Sequence, residues 1–384
     1  MIDPTPARPS AARVLMTAAV LAAGLAPLPA GWARNAREGA RAHDTAGASG
    51  YYEALIGGDG TNARGAPGAL ELRLIGKPID LNRDLVRRIT RDRKGDFLQF
   101  DLKPGHDEVF FGERFTTNAD GMRDRPYDLA KPEGIYRIAL LGSSIDMGWG
   151  VATPDTYENR LEAWLNAEAA RRGLARRFEV LNFAVVAYGP MQRYDTFHRK
   201  ALAYDPDLVL YASTMLDPRL VEIHLGGLIR NGVDLKYDFF RRAAAGARAD
   251  RAGGLADLDR RDGFKARVKA HYWTFADAAL GALAADCRSR AIPLACLQVP
   301  RACRDDDDDA RALAVARQAG IAARHALPLF DLSAAFDHVQ SSQVEVAPGD
   351  DHPNTLGHRL LFDKLSRDLL AHPNLARELF EPHR

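Results

Sequence analysis

Hydrophobic and polar positions are arranged in two different ways along the chain, and the change comes near residue 135. Beyond that point, short runs that are almost wholly apolar are separated by longer segments with apolar residues at helical spacing. Such runs are typical of strands that are buried on both faces of a parallel sheet. The predicted strands span 137–141, 178–183, 208–212, 294–299 and 329–332. The predicted helices span 156–172, 192–203, 264–290, 310–320 and 355–371.

Strands that alternate with helices in this order predict an α/β fold. The crossovers between parallel strands are right-handed, so helices cover both faces of the sheet and produce three α/β/α layers. We therefore expect a doubly wound, mostly parallel sheet of five strands. Folds of this class bind ligands at the carboxyl ends of the strands, so the chemistry is expected in the loops that follow them.

The first 134 residues follow a different pattern. Residues 1–33 combine early arginines, an apolar stretch and a closing small-residue site, which is the layout of a secretory signal. Residues 34–66 lack apolar periodicity and predict a linker or loose arm. Short alternating runs over 67–134 predict a small β-rich extension. The remainder, 135–384, forms the main domain, with a partly helical insertion at 218–263 near the rim of the site.

This layout predicts an exported protein, periplasmic or secreted, with an uncleaved N-terminal membrane anchor as the alternative. The 384 residues include 52 basic and 51 acidic side chains, so no overall charge draws the protein to nucleic acid. Three cysteines are too few for a disulfide scaffold, and the sequence has no phosphate loop, dinucleotide motif or zinc spacing. Five consecutive aspartates at 305–309 are interpreted as a solvated run before a helix rather than a calcium site. No metal or cofactor is expected.

Candidate chemistry begins where the first predicted strand of the main domain ends, in a Gly-Ser-Ser run that closes at Ser144. A serine hydroxyl becomes an effective nucleophile when a base accepts its proton, and imidazole titrates in the required range. His352 stands just before the last predicted helix, and Asp350 precedes it by two residues, where a carboxylate can orient the imidazole. Asp351 is the rival carboxylate.

Three blocks in this order resemble those of the SGNH, or GDSL-like, hydrolase superfamily. They are Gly142-Ser143-Ser144, the run from Leu181 to Gly189, and Asp350-Asp351-His352-Pro353-Asn354. The resemblance covers residues 136–372 and implies a flavodoxin-like SGNH-hydrolase domain. The more particular resemblance is to exported bacterial members, which include carbohydrate O-acetylesterases and O-acetyltransferases. The resemblance implies Ser144 as nucleophile, His352 as base and Asp350 as the acid of a triad.

The same resemblance implies donors for the oxyanion that forms during acyl transfer. The backbone N–H groups of Ser144 and Ala187 are two of them, with Ala187 in the place of a family glycine. Leu216 stands where the family has an asparagine, and its side chain cannot donate. Ser213 or Thr214 could supply a third donor, with Thr214 favoured by its position, or the donor could come from the predicted insertion. The alternative for Thr214 is that its hydroxyl bonds local backbone. Because losing one donor typically lowers the rate about a hundredfold or more, a weakened site is a second interpretation.

Three further side chains are candidates for substrate binding. Trp149, Tyr188 and His224 are expected at a sugar-binding rim, where rings can stack on or hydrogen-bond to a saccharide. Packing in the core is the alternative for each of them. Asn182 is interpreted as structural, holding the loop below Ala187 through its side chain.

The expected function is that of an exported serine esterase or acyltransferase that acts on O-acyl, and in particular acetyl, groups of a carbohydrate. Its substrate would be an acylated carbohydrate or a small ester. The alternative is a catalytically weakened protein on the same scaffold, which binds glycan or assists a membrane-bound acyltransferase partner. Leu216 and Ala187 motivate that alternative.

Overall fold

The computed structural model describes residues 72–74, 77–79, 86–246, 271–303 and 308–381. The predicted signal at 1–33 and the predicted linker at 34–66 lie outside the described residues. So do 264–270 of one predicted helix, the last part of the predicted insertion, and most of the aspartate run.

Three antiparallel hairpins precede the main sheet in the described part of the chain. They pair β1 (Leu72–Leu74) with β2 (Lys77–Ile79), β3 (Thr90–Arg93) with β4 (Gln99–Leu102), and β5 (Asp107–Phe110) with β6 (Glu113–Thr116). These short strands lie where the alternating sequence pattern predicts a β-rich extension.

The main sheet is parallel throughout. Its strands are β7 (Ile135–Leu141), β8 (Arg177–Asn182), β9 (Leu208–Thr214), β10 (Leu294–Val299) and β11 (Leu329–Asp331). Their spatial order is β11-β10-β9-β7-β8, so the order reverses between β7 and β9. This is the flavodoxin-like, doubly wound arrangement, and it confirms the predicted fold class.

Helices cover both faces of this sheet. They are α1 (Ser144–Met147), α2 (Tyr157–Arg171), α3 (Pro190–Arg199), α4 (Asp217–Arg230), α5 (Asp238–Gly246), α6 (Tyr272–Ser289), α7 (Asp308–Arg324), α8 (Ser341–Val344), α9 (Thr355–Ala371) and α10 (Pro373–Phe380). Short 3₁₀ turns span Thr153–Asp155, Ala201–Tyr204 and Ser333–Phe336.

Several predicted boundaries differ from the observed elements by a few residues. The predicted helix at 192–203 ends at Arg199, because the backbone of Lys200 leaves the helical region, and a 3₁₀ turn follows. The predicted insertion begins inside a regular element, since α4 runs without a break through its first residues. Within the described residues this segment is two helices packed on the sheet, and α4 contributes to the core.

Strand β7 shows how the sequence builds two cores. Ala139 and Leu141 point into an apolar cluster that α3 to α7 cover, whereas Ile138 and Leu140 point into a second cluster beneath α2, α9 and α10. Alternate residues of a strand face opposite sides, so a sheet covered on both faces requires an unbroken apolar strand. None of the described helices is both long and apolar enough to cross a membrane.

Candidate active site

The loop after β7 places Ser144 at the start of α1, beside the point where the strand order reverses. Asp146 folds back over this turn: its Oδ2 accepts the backbone N–H of Ser143 at 2.7 Å, and its Oδ1 accepts the Tyr157 hydroxyl at 2.7 Å. Burial raises the pKa of Asp146 against the lowering effect of these hydrogen bonds. The carboxyl group therefore fixes the turn that presents Ser144.

Gly142 leaves the space that this turn requires. A Cβ atom at Gly142 would lie 2.3 Å from Asp146 Oδ2, well inside van der Waals contact. The side chain of Asp146 occupies that space instead. The glycine of the sequence block is thus explained by close packing rather than by an unusual backbone angle.

A tightly bonded loop between α8 and α9 carries the imidazole. The backbone N–H of Val346 donates to the carbonyl of His352 at 2.9 Å, and Asn354 Nδ2 donates to the carbonyl of Glu345 at 3.1 Å. Asn354 Oδ1 also accepts the N–H of Leu356 at 3.0 Å and so caps α9. The loop is therefore anchored at both ends around His352.

A continuous chain of hydrogen bonds joins the two loops. His352 Nε2 lies 2.7 Å from Ser144 Oγ, and His352 Nδ1 lies 2.6 Å from Asp350 Oδ1. All three residues are at least nine-tenths buried. Burial raises the pKa of Asp350, but the charge of His352 and the hydrogen bonds from its ring and backbone outweigh burial, so the pKa lies below its usual value. Asp350 is therefore an ionised acceptor for the imidazole.

The neighbouring Asp351 serves a different partner. Its Oδ1 lies 3.3 Å from Arg301 Nε, and its carbonyl accepts the N–H of Ala302 at 2.8 Å. Asp351 thus joins the loop after β10 to the imidazole loop. Of the two candidate carboxylates, Asp350 is the one in contact with the ring of His352.

The sequence predicts two backbone N–H groups as oxyanion donors. Those of Ser144 and Ala187 donate to no acceptor among the described residues. Ala187 has φ 57°, in the left-handed region that disfavours a Cβ by roughly 1–2 kcal/mol. Asn182 Oδ1 accepts the N–H of Ala184 at 3.0 Å, which holds the start of this loop as the sequence interpretation expected. Strain of this kind is found in loops whose N–H direction serves a function.

The third candidate donor has a local partner. Thr214 Oγ1 accepts the N–H of Leu216 at 3.4 Å, while the hydroxyl proton of Thr214 has no acceptor among the described residues. The side chain of Leu216 packs against an apolar cluster that includes Trp149. Leu216 itself therefore supplies no side-chain donor.

Trp149, Tyr188 and His224, the candidates for a substrate rim, are all almost completely buried, as the alternative of core packing expects. The Tyr188 hydroxyl donates to the carbonyl of Phe100 at 2.6 Å, and His224 Nε2 lies 2.5 Å from the carbonyl of Phe97. Both partners belong to the β3–β4 hairpin or its turn, which covers these side chains. Burial also lowers the pKa of His224 to about 4, so the ring is neutral at pH 7.

Trp149 is buried for a related reason, but it contacts the site directly. Its ring centroid lies 5.4 Å from that of His352, with 32° between the ring planes. On its other side it lies 6.3 Å from the ring of Phe111, at the tip of the β5–β6 hairpin. The buried ring of Trp149 thus packs against the imidazole of His352, and Trp149 is not an exposed rim residue.

Sequence reasoning missed Arg123, which the structure places under the nucleophile loop (residues 142–151, which carry the candidate nucleophile Ser144). Its guanidinium donates to the carbonyl of Met147 at 2.8 Å and to those of Gly148 and Val151. It also lies 4.8 Å from the ring centroid of Phe115. Burial lowers the pKa of Arg123 to about 10. The only local signal is an Asx-type turn just before it, so its role could not be found from the sequence.

A group of buried carboxyls lies on the other side of α1. Asn182 Nδ2 donates to the carbonyl of Asp146 and to Glu158 Oε1, both at 2.9 Å, and the Asn182 N–H donates to Asp124 Oδ2 at 3.1 Å. Burial raises the pKa of Asp124 to about 7 and raises that of Glu158 well above its usual value. These groups link β8, α2 and the extension to the nucleophile loop.

Within the described residues, no group of three or more histidine, cysteine or acidic side chains is placed to hold a metal ion.

No family model matches the chain, and no curated protein matches it. Among solved structures, it is similar to an acetylxylan esterase from Geobacillus stearothermophilus at 14% identity, over 65% of this chain and 97% of that one, with a TM-score of 0.40. A two-domain esterase active on acetylated mannans is similar at 14% identity, over 65% and 52% of the two chains, with a TM-score of 0.40. A putative lipolytic protein of the G-D-S-L family from Desulfitobacterium hafniense is similar at 14% identity, over 60% and 98%, with a TM-score of 0.34.

Proposed function

We propose that the protein is a serine esterase or acyltransferase that acts on ester-linked acyl groups of a carbohydrate. The observation that carries the proposal is the unbroken chain from Ser144 through His352 to Asp350. A hydroxyl, an imidazole and a carboxylate in this order are the parts of a nucleophilic triad, whatever the surrounding fold. The carbohydrate class comes from the resemblance of the three sequence blocks.

In the first half of the reaction, Ser144 Oγ attacks the acyl carbonyl while His352 Nε2 accepts the hydroxyl proton. A C–O bond forms to Oγ, and the carbonyl oxygen becomes an oxyanion. Asp350 holds the imidazole through Nδ1 and stabilises its charged form. When the oxyanion collapses, the bond to the sugar oxygen breaks, and His352 returns its proton to that oxygen. The acyl group is left on Ser144.

In the second half, water or another sugar hydroxyl attacks the acyl-enzyme. His352 accepts the proton of the attacking hydroxyl, and the bond to Ser144 Oγ then breaks as the serine regains a proton. Water releases a carboxylic acid, and a sugar hydroxyl gives a new ester. Esterase and transferase thus share every residue of the triad and differ in the acceptor that reaches it.

The oxyanion is assigned to the N–H groups of Ser144 and Ala187, with the hydroxyl of Thr214 as the third donor. The assignment of the two N–H groups is supported because neither donates to an acceptor among the described residues. The assignment of Thr214 is supported because its hydroxyl oxygen accepts a hydrogen bond while its proton has no acceptor among those residues. Donors that are already oriented stabilise charge as it develops, without reorganisation.

One observation favours a second candidate function. Leu216 fills the place of the family asparagine with an apolar, partly buried side chain that packs against the cluster around Trp149. An oxyanion site with one donor fewer gives slow turnover, so the alternative is a glycan-binding or accessory protein for a membrane-bound acyltransferase. Export, as proposed from residues 1–33, would bring either function to polysaccharide outside the cytoplasm.

The experiment compares the protein with its Ser144→Ala variant on 4-nitrophenyl acetate and on O-acetylated xylan. Under the proposal, the protein releases 4-nitrophenol and acetate, and the variant loses at least about a thousandfold in kcat. Adding xylotetraose distinguishes the acceptors, since a transferase gives acetylated xylotetraose in place of acetate. Full turnover by Ser144→Ala would refute the assignment. Glycan binding with no turnover by the unmodified protein would favour the accessory function.

A further inference from the structure

The tip of the β5–β6 hairpin carries an aromatic residue in an unfavourable backbone conformation. The two residues between the strands, Phe111 and Gly112, have φ 53° and 79°. Two successive positive φ angles are typical of a type I′ turn, whose first position favours asparagine, aspartate or glycine. A bulky side chain there is a conformational outlier. Strain held at a loop tip is a reason to look for a function of that side chain.

The ring is also kept in contact with water. Phe111 is 40% exposed, although the strands beside it carry charged side chains such as Asp107 and Arg114, which form an ion pair. Val109, on the same hairpin, is 63% exposed. Folding into the core does not explain an aromatic side chain at this tip.

The position of Phe111 relates it to the triad. Its ring centroid lies 6.3 Å from that of Trp149, which in turn lies 5.4 Å from that of His352. The three rings form a continuous series from the surface to the imidazole. Because Trp149 is completely buried, a ligand at the hairpin tip can contact Phe111 but not Trp149.

We propose that Phe111 is a substrate-binding residue, whose ring stacks against the apolar face of a pyranose in the saccharide that carries the ester. Aromatic rings combine a large apolar surface with a fixed shape, and binding sites of small molecules are lined by them. The ester-bearing residue of the saccharide would then lie at Ser144 and a neighbouring pyranose at the hairpin tip. The placement of the ester at Ser144 rests on the proposed function. The binding of a saccharide by Phe111 does not depend on it.

A different role for Phe111 would be to shield Trp149 from water. That role needs an apolar side chain of similar size and no aromatic face, so Phe111→Leu would fulfil it. Stacking on a sugar requires the ring, which Phe111→Tyr keeps. Val109→Ala is the matched control, because Val109 is an exposed apolar residue of the same hairpin and makes no ring contact.

The test measures saccharide binding in a Ser144→Ala background, so that turnover does not interfere. The probes are O-acetylated oligosaccharides of xylose, mannose and N-acetylglucosamine, and saturation-transfer NMR gives the dissociation constants. We expect Phe111→Ala and Phe111→Leu to weaken binding of at least one probe about tenfold, and Phe111→Tyr and Val109→Ala to leave it within twofold. Thermal unfolding confirms that each variant is folded.

Three results would overturn the inference: no binding of any probe, binding by Phe111→Leu equal to that of the parent, or equal losses in Phe111→Ala and Val109→Ala. Turnover of 4-nitrophenyl acetate by Ser144→Ala is a separate outcome. It would refute the proposed nucleophile, while the NMR series would still decide the role of Phe111.

Discussion

At the scale of single residues, the two adjacent aspartates before His352 have separate partners. Asp350 contacts the imidazole, and Asp351 pairs with Arg301 in the loop after β10. The two side chains point in different directions from the turn that carries them, and only Asp350 reaches the ring. The difference between them is directly testable.

We predict that Asp350→Asn lowers kcat on 4-nitrophenyl acetate by about 10³- to 10⁴-fold, because the amide no longer stabilises the charged imidazole or fixes its tautomer. Asp351→Asn removes an ion pair that does not contact the ring, and we expect its kcat to fall less than about tenfold. Steady-state kinetics on the two purified variants checks this. Equal losses in both variants would show that Asp350 is not the carboxylate that supports His352.

The sequence was sufficient for the residues that lie at ends of predicted elements. Ser144 follows a strand and His352 precedes a helix, so the α/β fold alone brings them towards one edge of the sheet. It was insufficient for Trp149 and His224, because what covers them comes from hairpins of the extension. The sequence alone does not show whether an apolar or aromatic side chain in a loop is exposed at the rim of a site or buried against another element.

At the scale of elements, α1 is a single helical turn that depends on its surroundings. Gly148 follows it with φ 84°, and Arg123 bonds the carbonyls of Met147, Gly148 and Val151. The last carbonyls of a helix lack partners within the helix, and a buried cation satisfies them here. Arg123 is therefore a positioning residue for the loop that also carries Trp149.

We predict that Arg123→Met lowers the free energy of unfolding by about 3 kcal/mol, since it leaves buried carbonyls without donors. We also expect kcat to fall at least about tenfold while KM changes little, because the loop no longer holds Trp149 against His352. Arg123→Lys should recover part of both losses. Chemical denaturation and steady-state kinetics give the two readouts.

Arg125→Met is the matched control, because Arg125 is half exposed and pairs with Glu162 and Glu179 at the surface. We expect that variant to lose less than about 1 kcal/mol. A stability loss in Arg123→Met with unchanged kcat would contradict the positioning role. This contact could not be predicted from the sequence, because its three acceptors are backbone carbonyls. Every residue type carries such a carbonyl, so the acceptors do not constrain which residues occur there.

At the scale of the whole molecule, the extension and the main domain share one interior. The predicted boundary at residue 134 separates segments whose contacts cross it, since Tyr188 bonds the carbonyl of Phe100, and Arg123 bonds the nucleophile loop. Local patterning locates strands and helices correctly, but it does not show which of them share a core. The five-stranded sheet was predictable because each strand is apolar throughout, whereas the packing of the hairpins on it depends on shape.

The buried carboxyls of this shared interior affect stability across pH. The Asp124 carboxyl keeps its proton to about pH 7 in the folded protein and loses it near 3.8 when unfolded, because burial disfavours its charge. Between those values the folded state binds more protons, so stability falls as pH rises. Glu158 acts in the same direction. Asp350, with a lowered pKa, acts oppositely but only at more acidic pH.

We therefore predict that this group makes the free energy of unfolding decrease from about pH 4 to about pH 7, and that Asp124→Asn flattens the decrease. Asp128→Asn, at an exposed carboxyl nearby, serves as the control and should keep the original slope. Urea denaturation at a series of pH values gives the slopes. A decrease as steep in Asp124→Asn as in the parent protein would refute the assignment.

The most direct test of the account is covalent labelling of Ser144. A fluorophosphonate reacts with a serine hydroxyl only when a neighbouring base activates it, so it reports the chain from Ser144 to His352 without any assumption about substrate. We predict a single phosphonyl adduct on Ser144 by peptide mass spectrometry, which is lost in His352→Ala although that variant remains folded. An unlabelled Ser144, or labelling that persists in His352→Ala at the original rate, would contradict the proposed triad.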